Sequence, residues 1–224
     1  MNDINKELKN FVLSLGVDLF GVADVVSIKD KFLLSNEAKN NFNRAISIGI
    51  VVASGVLDDI DGQPTRLYYQ YYRTLNNLLD QIGVRIASFI EKRGFKALPI
   101  PASQVFDGDR LNSHLSHKEI GVLAGLGWIG RNNLLVNEIY GSQFRLATVL
   151  TNLDLICARP LEKDCGECYD CISACPASAL GEDSRDYNLN NCFLKLKEFQ
   201  KKRIVDQMIC GICVKSCKPS KNKN

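Results

Sequence analysis

Nine cysteines are the residues of this 224-residue chain whose type and spacing carry chemistry, and eight of them fall after Arg159. They form two runs, Cys165-x2-Cys168-x2-Cys171-x3-Cys175-Pro176 and Cys192…Cys210-x2-Cys213-x3-Cys217. Gaps of two residues let three thiolates converge on one face of a [4Fe–4S] cube, and the longer step carries the fourth to a neighbouring cube. On that pattern Cys165, Cys168, Cys171 and Cys217 hold one cluster, and Cys175, Cys192, Cys210 and Cys213 hold a second. The 17 residues between Cys192 and Cys210 are helical in character. Pro176 is placed to open a helix at its first position.

Two other chemistries compete for the same residues. Paired C-x2-C units also make tetrahedral zinc sites, but the triple C-x2-C-x2-C run and the Cys-Pro ending weigh against zinc. A disulfide framework fits poorly with the start Met1-Asn2-Asp3-Ile4-Asn5-Lys6, which has no secretion signal. A reducing, cytoplasmic setting is expected, and no window is apolar enough for a membrane span. Cys157 is the cysteine left over, expected to act as a small apolar side chain. The net charge of +3 is modest, and Lys215, Lys218, Lys221 and Lys223 read as a solvated tail, so charge makes no case for nucleic acid.

The elements that must position these residues follow from periodicity. Ile4, Leu8, Phe11, Val12 and Leu15 predict an amphipathic helix closed by Gly16, followed by a strand at Leu19–Ala23. Residues 45–53 are apolar at nearly every position, as a strand covered on both faces would be. Leu67, Tyr71, Leu75, Leu78, Ile82, Ile86, Phe89 and Ile90 mark one face of a long helix ending near Gly94, with a strand at Phe95–Ile100. Tyr68, Tyr69, Tyr71 and Tyr72 read as part of that helix's packing surface rather than as ligands. Ser116 and Glu119 have the capping-box form. The loop Gly125-Leu126-Gly127-Trp128-Ile129-Gly130-Arg131-Asn132-Asn133 lacks the complete phosphate-binding signatures, which leaves both a structural turn and a ligand contact open. Leu134–Val136 and Phe144–Leu150 read as paired strands. The composition changes near Leu153, which divides the chain into 1–155 and 156–224. The expected class is α+β: an N-terminal α/β cofactor-binding-like domain followed by a ferredoxin-like double [4Fe–4S] module.

Taken together, Ser14–Asp18, Phe20–Ala23, Ala124–Asn132, Tyr140-Gly141-Ser142, Thr151–Leu155 and the two cysteine runs resemble the epoxyqueuosine reductase family and its short iron–sulfur relatives. That family is related to the cobalamin-dependent reductive dehalogenases. The resemblance implies an oxidoreductase whose clusters feed electrons singly to a bound corrinoid (cobalamin), supplied by a donor such as a ferredoxin or flavodoxin. It implies cofactor contacts at Gly127, Trp128, Gly130, Asn132, Gly141 and Ser142. The family's proton-donating aspartate falls, counted without a gap, on Leu111, so Asp107, Asp109 and His117 are the candidates for that role, with His114 in the same stretch. The full-length reductases continue into a helical region thought to engage tRNA, whereas this sequence stops seven residues after Cys217, so a tRNA partner is not expected. An electron-transfer module, or a corrinoid reductase without a substrate of its own, would share the same cysteines.

Overall fold

Apolar residues at helical spacing form α1 (Asn2–Ser14), and Gly16 follows at φ +84°. The chain then runs through β1 (Leu19–Asp24), α2 (Asn36–Asn41), β2 (Arg44–Val51), α3 (Ser54–Asp58) and α4 (Arg66–Glu91). Next come β3 (Ala97–Ile100), α5 (His117–Leu123), β4 (Trp128–Ile129), β5 (Leu135–Val136) and β6 (Phe144–Thr151). The last elements are α6 (Asp170–Ala174), α7 (Leu189–Lys201) and α8 (Ile212–Ser216). This computed structural model describes residues 2–103 and 113–218. The mixture of helix and sheet is of the expected α+β class.

The chain divides into two compact units that are not consecutive stretches. The first comprises Met1–Ile50, Asn76–Leu126 and Arg145–Leu161; the second comprises Val51–Leu75, Gly127–Phe144 and Glu162–Asn224. The cysteine segment therefore shares a unit with two earlier segments, instead of forming a unit that starts near residue 156.

The first unit is built on a four-stranded sheet in the order β1-β2-β6-β3, with β1 antiparallel to β2 and β3 antiparallel to β6. Six consecutive residues of β2, Ala45 to Ile50, are buried, which is the two-sided cover that their continuous apolar run requires. Both α1 and α5 pack on β1. Phe11 stacks on Phe89 of α4 with ring centroids 4.6 Å apart, and Leu8, Val12, Leu79, Ile82, Ile86 and Ile90 are buried. Ser116 caps α5 by accepting from the Glu119 amide at 3.3 Å. Only half of the expected capping box forms, because the Glu119 carboxylate pairs with Lys31 at 2.6 Å.

One strand pairing differs from expectation. β5 pairs with β4 in a separate hairpin, with Trp128 opposite Val136, while β6 lies between β2 and β3. The chain doubles back at residues 130–134, where the Gly130 amide donates to Leu134 O at 2.9 Å and Asn133 takes φ +55°, so Leu135–Val136 finds its partner a few residues upstream. The second unit carries this hairpin together with α3, α6, α7 and α8; α8 packs on both α6 and α3. Lys215 belongs to this packing and not to a solvated tail, because its Nζ donates to the carbonyls of Asp58 at 3.1 Å and Ile60 at 2.5 Å. Among the described residues, no helix is long and apolar enough to cross a membrane.

Candidate iron–sulfur centre

All eight cysteines of the two runs lie in the second unit, and none of the nine cysteines is in a disulfide. Helices α6 and α8 repeat one arrangement: Cys171 and Cys213 sit in their first turns, and Cys175 and Cys217 are their C-caps. Four residues of helix advance about 6 Å, so each helix holds its two thiols at opposite ends. The two helices pack together. Pro176 opens no helix; it enters a turn closed by Ser178 N–H donating to Cys175 O at 3.2 Å, with Ser178 at φ +46°.

The electrostatics of the thiols record who neighbours whom. Burial pushes the Cys171 thiol up to about 11, helped by the charges of Cys217, Cys165 and Cys168. Burial likewise raises Cys217, with Cys165 and Cys168 as its thiol neighbours. Cys210 is pushed up to about 11 by burial, with Cys192 and Cys175 adding to the shift. Cys213 is raised further by burial, and its neighbours are Cys210, Cys192, Cys171 and Cys175. Thiolates crowded in this way repel one another unless a cationic core lies between them.

Two cavities follow the same division. One, of about 470 Å³, is lined by Cys165, Cys168 and Cys217 together with Trp128 and Gly141. The other, of about 220 Å³, is lined by Cys175, Cys192, Cys210 and Cys213 together with Tyr68, Tyr72 and Tyr187. Among the described residues, no three Cys, His, Asp or Glu side chains converge closely enough to hold a single metal ion.

The glycine-rich loop serves the thiols. A Cβ on Gly141, at φ +57°, would collide with the Cys217 carbonyl and stand 3.2 Å from its sulfur. A Cβ on Gly130 would stand 3.3 Å from the Cys165 sulfur. Both positions need glycine for the close approach. Arg131 donates to the carbonyls of Gly166 at 2.8 Å, Cys168 at 3.1 Å and Glu182 at 2.6 Å, and lies 4.3 Å from the Tyr169 ring centroid. It thereby pins the turn carrying Cys165 and Cys168. Asn132 and Ser142 are buried and joined by a 2.9 Å hydrogen bond, one residue on from Gly141 and its approach to Cys217. Trp128 has a buried indole nitrogen with no hydrogen-bond partner among the described residues. Of the residues implied as cofactor contacts, Gly130 and Gly141 thus lie against sulfur, Asn132 and Ser142 pair with each other, and Gly127 lies against the Val136 backbone in the hairpin.

Sequence reasoning missed Tyr187, which lines the second cavity together with Cys192, and the cavity-lining role of Tyr68 and Tyr72. Tyr187 lies five residues before Cys192, a proximity that could have drawn attention to it. The helix expected between Cys192 and Cys210 forms, but it starts at Leu189, which puts Cys192 in its first turn, and it ends at Lys201.

The proton-donor candidates divide. Asp107 and Asp109 lie outside the described residues. His117, in the first unit, has both ring nitrogens engaged at 2.8 Å, Nδ1 with Thr148 Oγ1 and Nε2 with the Pro101 carbonyl. A carbonyl only accepts, so Nε2 carries the proton and Nδ1 accepts from the threonine hydroxyl. Burial lowers the imidazole to about 4; the Pro101 bond opposes that shift and the Arg145 charge assists it. This arrangement suits a structural clamp rather than a proton donor.

No protein-family model matches the chain. An epoxyqueuosine reductase of Aliivibrio fischeri is 33% identical over 113 residues, which is 50% of this chain and 28% of that protein. The chain thus spans well under two thirds of that relative's length. Among solved structures, a catabolic reductive dehalogenase in complex with 3-bromo-4-hydroxybenzoic acid matches with a TM-score of 0.75 at 17% identity, over 94% of this chain and 31% of that one. An epoxyqueuosine reductase with an epoxyqueuosine-modified tRNA-Tyr stem loop gives a TM-score of 0.61 at 19% identity, over 100% of this chain and 67% of that one. At these identities the structural likeness speaks for the fold alone. The chain is similar in sequence to epoxyqueuosine reductases and shares its fold with them and with a reductive dehalogenase.

Proposed function

We propose that this relative of the epoxyqueuosine reductases is an iron–sulfur oxidoreductase that holds two [4Fe–4S] clusters and delivers electrons one at a time to a bound acceptor. The observation that carries the reading is the gathering of thiols at two cavities, Cys165, Cys168 and Cys217 lining one and Cys175, Cys192, Cys210 and Cys213 the other. Cys165, Cys168, Cys171 and Cys217 would hold one cluster, and Cys175, Cys192, Cys210 and Cys213 the other. The clusters supply one-electron transfer. The chain's own residues supply the rest: Arg131 holds the first cysteine turn, Gly130 and Gly141 permit close approach to sulfur, and Tyr187 lines the second cavity.

A corrinoid is the acceptor we favour, by analogy with the dehalogenase relatives. The residues of the cysteine unit do not by themselves fit one: its larger cavity, about 470 Å³, is the size that takes a drug-like ligand of roughly 300–1,000 Å³, and a corrinoid is several times heavier. No step is therefore derived through it. A ferredoxin or flavodoxin as donor, and a reducing compartment suited to nine free thiols, complete the reading. A corrinoid reductase or an electron relay without substrate chemistry is favoured by one observation, the full engagement of His117.

The test is anaerobic purification and reconstitution, followed by iron and sulfide analysis and titration with cobalamin. About eight irons and eight sulfides per chain are expected, with a visible spectral change on cobalamin addition. Zinc in place of iron would overturn the cluster reading; iron without retention of cobalamin would overturn the corrinoid.

A further inference from the structure

Helix α7 has two unlike sides. On one, Cys192, Lys195 and Leu196 line the second cavity and Phe199 is buried. On the other, Leu194, Lys197 and Lys201 follow at steps of three and four residues, the spacing of a single helix face. All three are exposed, Leu194 at 55%. Lys202 and Arg203, also exposed, follow at the C-terminal end, and Leu189 is 52% exposed at the start. The nine residues from Lys195 to Arg203 contain five cations and one carboxylate, more positive charge than the +3 of the whole chain. The remainder of the chain is therefore slightly acidic on balance. Glu198 is shared by Lys195 and Lys202, at 2.6 Å each, which leaves Lys197, Lys201 and Arg203 with no carboxylate partner among the described residues. The helix dipole accounts for cations in the last turn; it accounts neither for Lys197, held over the Phe193 ring at 4.3 Å, nor for the exposed leucines.

We propose that the outer face of α7 is the docking surface for an acidic one-electron carrier protein of the ferredoxin class, which reduces the cluster on the helix's inner side. The inference rests on the reading of Cys175, Cys192, Cys210 and Cys213 as ligands of that cluster. A carrier seated there is separated from the cavity by one helix, about 10 Å across. In the step the carrier's reduced centre loses one electron, the cluster gains it, and no bond forms or breaks. Exposed leucines among cations match a protein interface with an apolar centre and a charged rim. Binding to a phosphate backbone runs on charge alone and has no use for them.

Lys197→Glu combined with Lys201→Glu reverses this face. Lys6→Glu combined with Lys9→Glu makes the same change in net charge on exposed residues of α1. In the reconstituted full chain, reduction by a reduced acidic ferredoxin at low ionic strength, followed by stopped-flow absorbance, should slow at least about ten-fold in the α7 variant. The α1 variant should react nearly as fast as the unaltered protein. Added salt should slow the unaltered protein and not the α7 variant. Iron content should be equal in all three, and dithionite, which needs no docking, should reduce each of them fully. Should the reversal fail to fold, Leu194→Gln leaves the charges in place; it should still slow the reaction, and an unchanged rate counts against the site. An unchanged rate in the α7 variant, an equal loss in the α1 variant, or no reduction of the iron-loaded unaltered protein by ferredoxin would overturn the proposal while leaving the clusters in place. So would loss of bulk tRNA binding in the α7 variant at an unchanged ferredoxin rate, which would assign the face to nucleic acid. Absence of iron from the unaltered chain would remove the cluster reading and this proposal with it.

Discussion

Arg131 directs its guanidinium at three backbone carbonyls and one aromatic ring instead of a carboxylate. A planar group with five donors can hold a loop in this way where a lysine cannot. The proposed assignment of each cysteine makes a prediction at this scale. Cys175, the C-cap of α6, neighbours Cys210 and Cys213, which lie on the far cysteine run. Replacing Cys175 by alanine should therefore damage the cluster of Cys192, Cys210 and Cys213, with iron content falling by up to about half. The signal of the cluster on Cys165, Cys168 and Cys171 should survive. Iron analysis with electron paramagnetic resonance tests this, and loss confined to the latter cluster would contradict the exchanged assignment.

Among the elements, α5 shows how a short helix is locked by polar groups at its start. Ser116 caps it, and His117 in its first turn ties Thr148 of β6 to Pro101 just beyond β3. The imidazole is lowered from 6.5 to about 4 in the folded chain. Between those values the unfolded chain binds a proton that the folded chain refuses, so the stability His117 contributes is complete above about pH 6.5 and drains away as pH falls toward 4. The loss should be on the order of 1–3 kcal/mol. Anaerobic denaturant titrations of wild type and His117→Gln across that window check it: the wild type should show the steeper decline toward acid, and parallel curves would refute the linkage.

For the molecule as a whole, the two units differ in what could stabilise them. The first buries Ile46, Ile48, Leu79, Ile82, Ile86 and Ile90 almost completely and has an apolar core around its sheet. The second gathers eight thiols whose ionised forms repel one another, and binding a metal core there adds directly to folding free energy. Iron removal should therefore loosen the second unit first. Limited proteolysis of holo and iron-depleted protein should show new cuts within residues 162–218 while the sheet strands stay protected. Identical digestion patterns would rule this out.

Much of this was legible in the chain itself. The helix of α1, the buried run of β2, the length of α4 and the Ser116 cap follow from local periodicity and side-chain chemistry, which depend on near neighbours. The cysteine runs likewise carry the spacing on which the proposed cluster chemistry rests, because ligand spacing is local. What only the tertiary structure decided depends on residues brought together across long intervals. It paired β5 with β4 and seated β6 between β2 and β3. It joined 51–75 and 127–144 to the cysteine segment, set Gly130 and Gly141 against sulfur, and engaged both nitrogens of His117. A motif states which atoms can bind; which atoms then surround the bound group is set by packing between segments far apart in the chain.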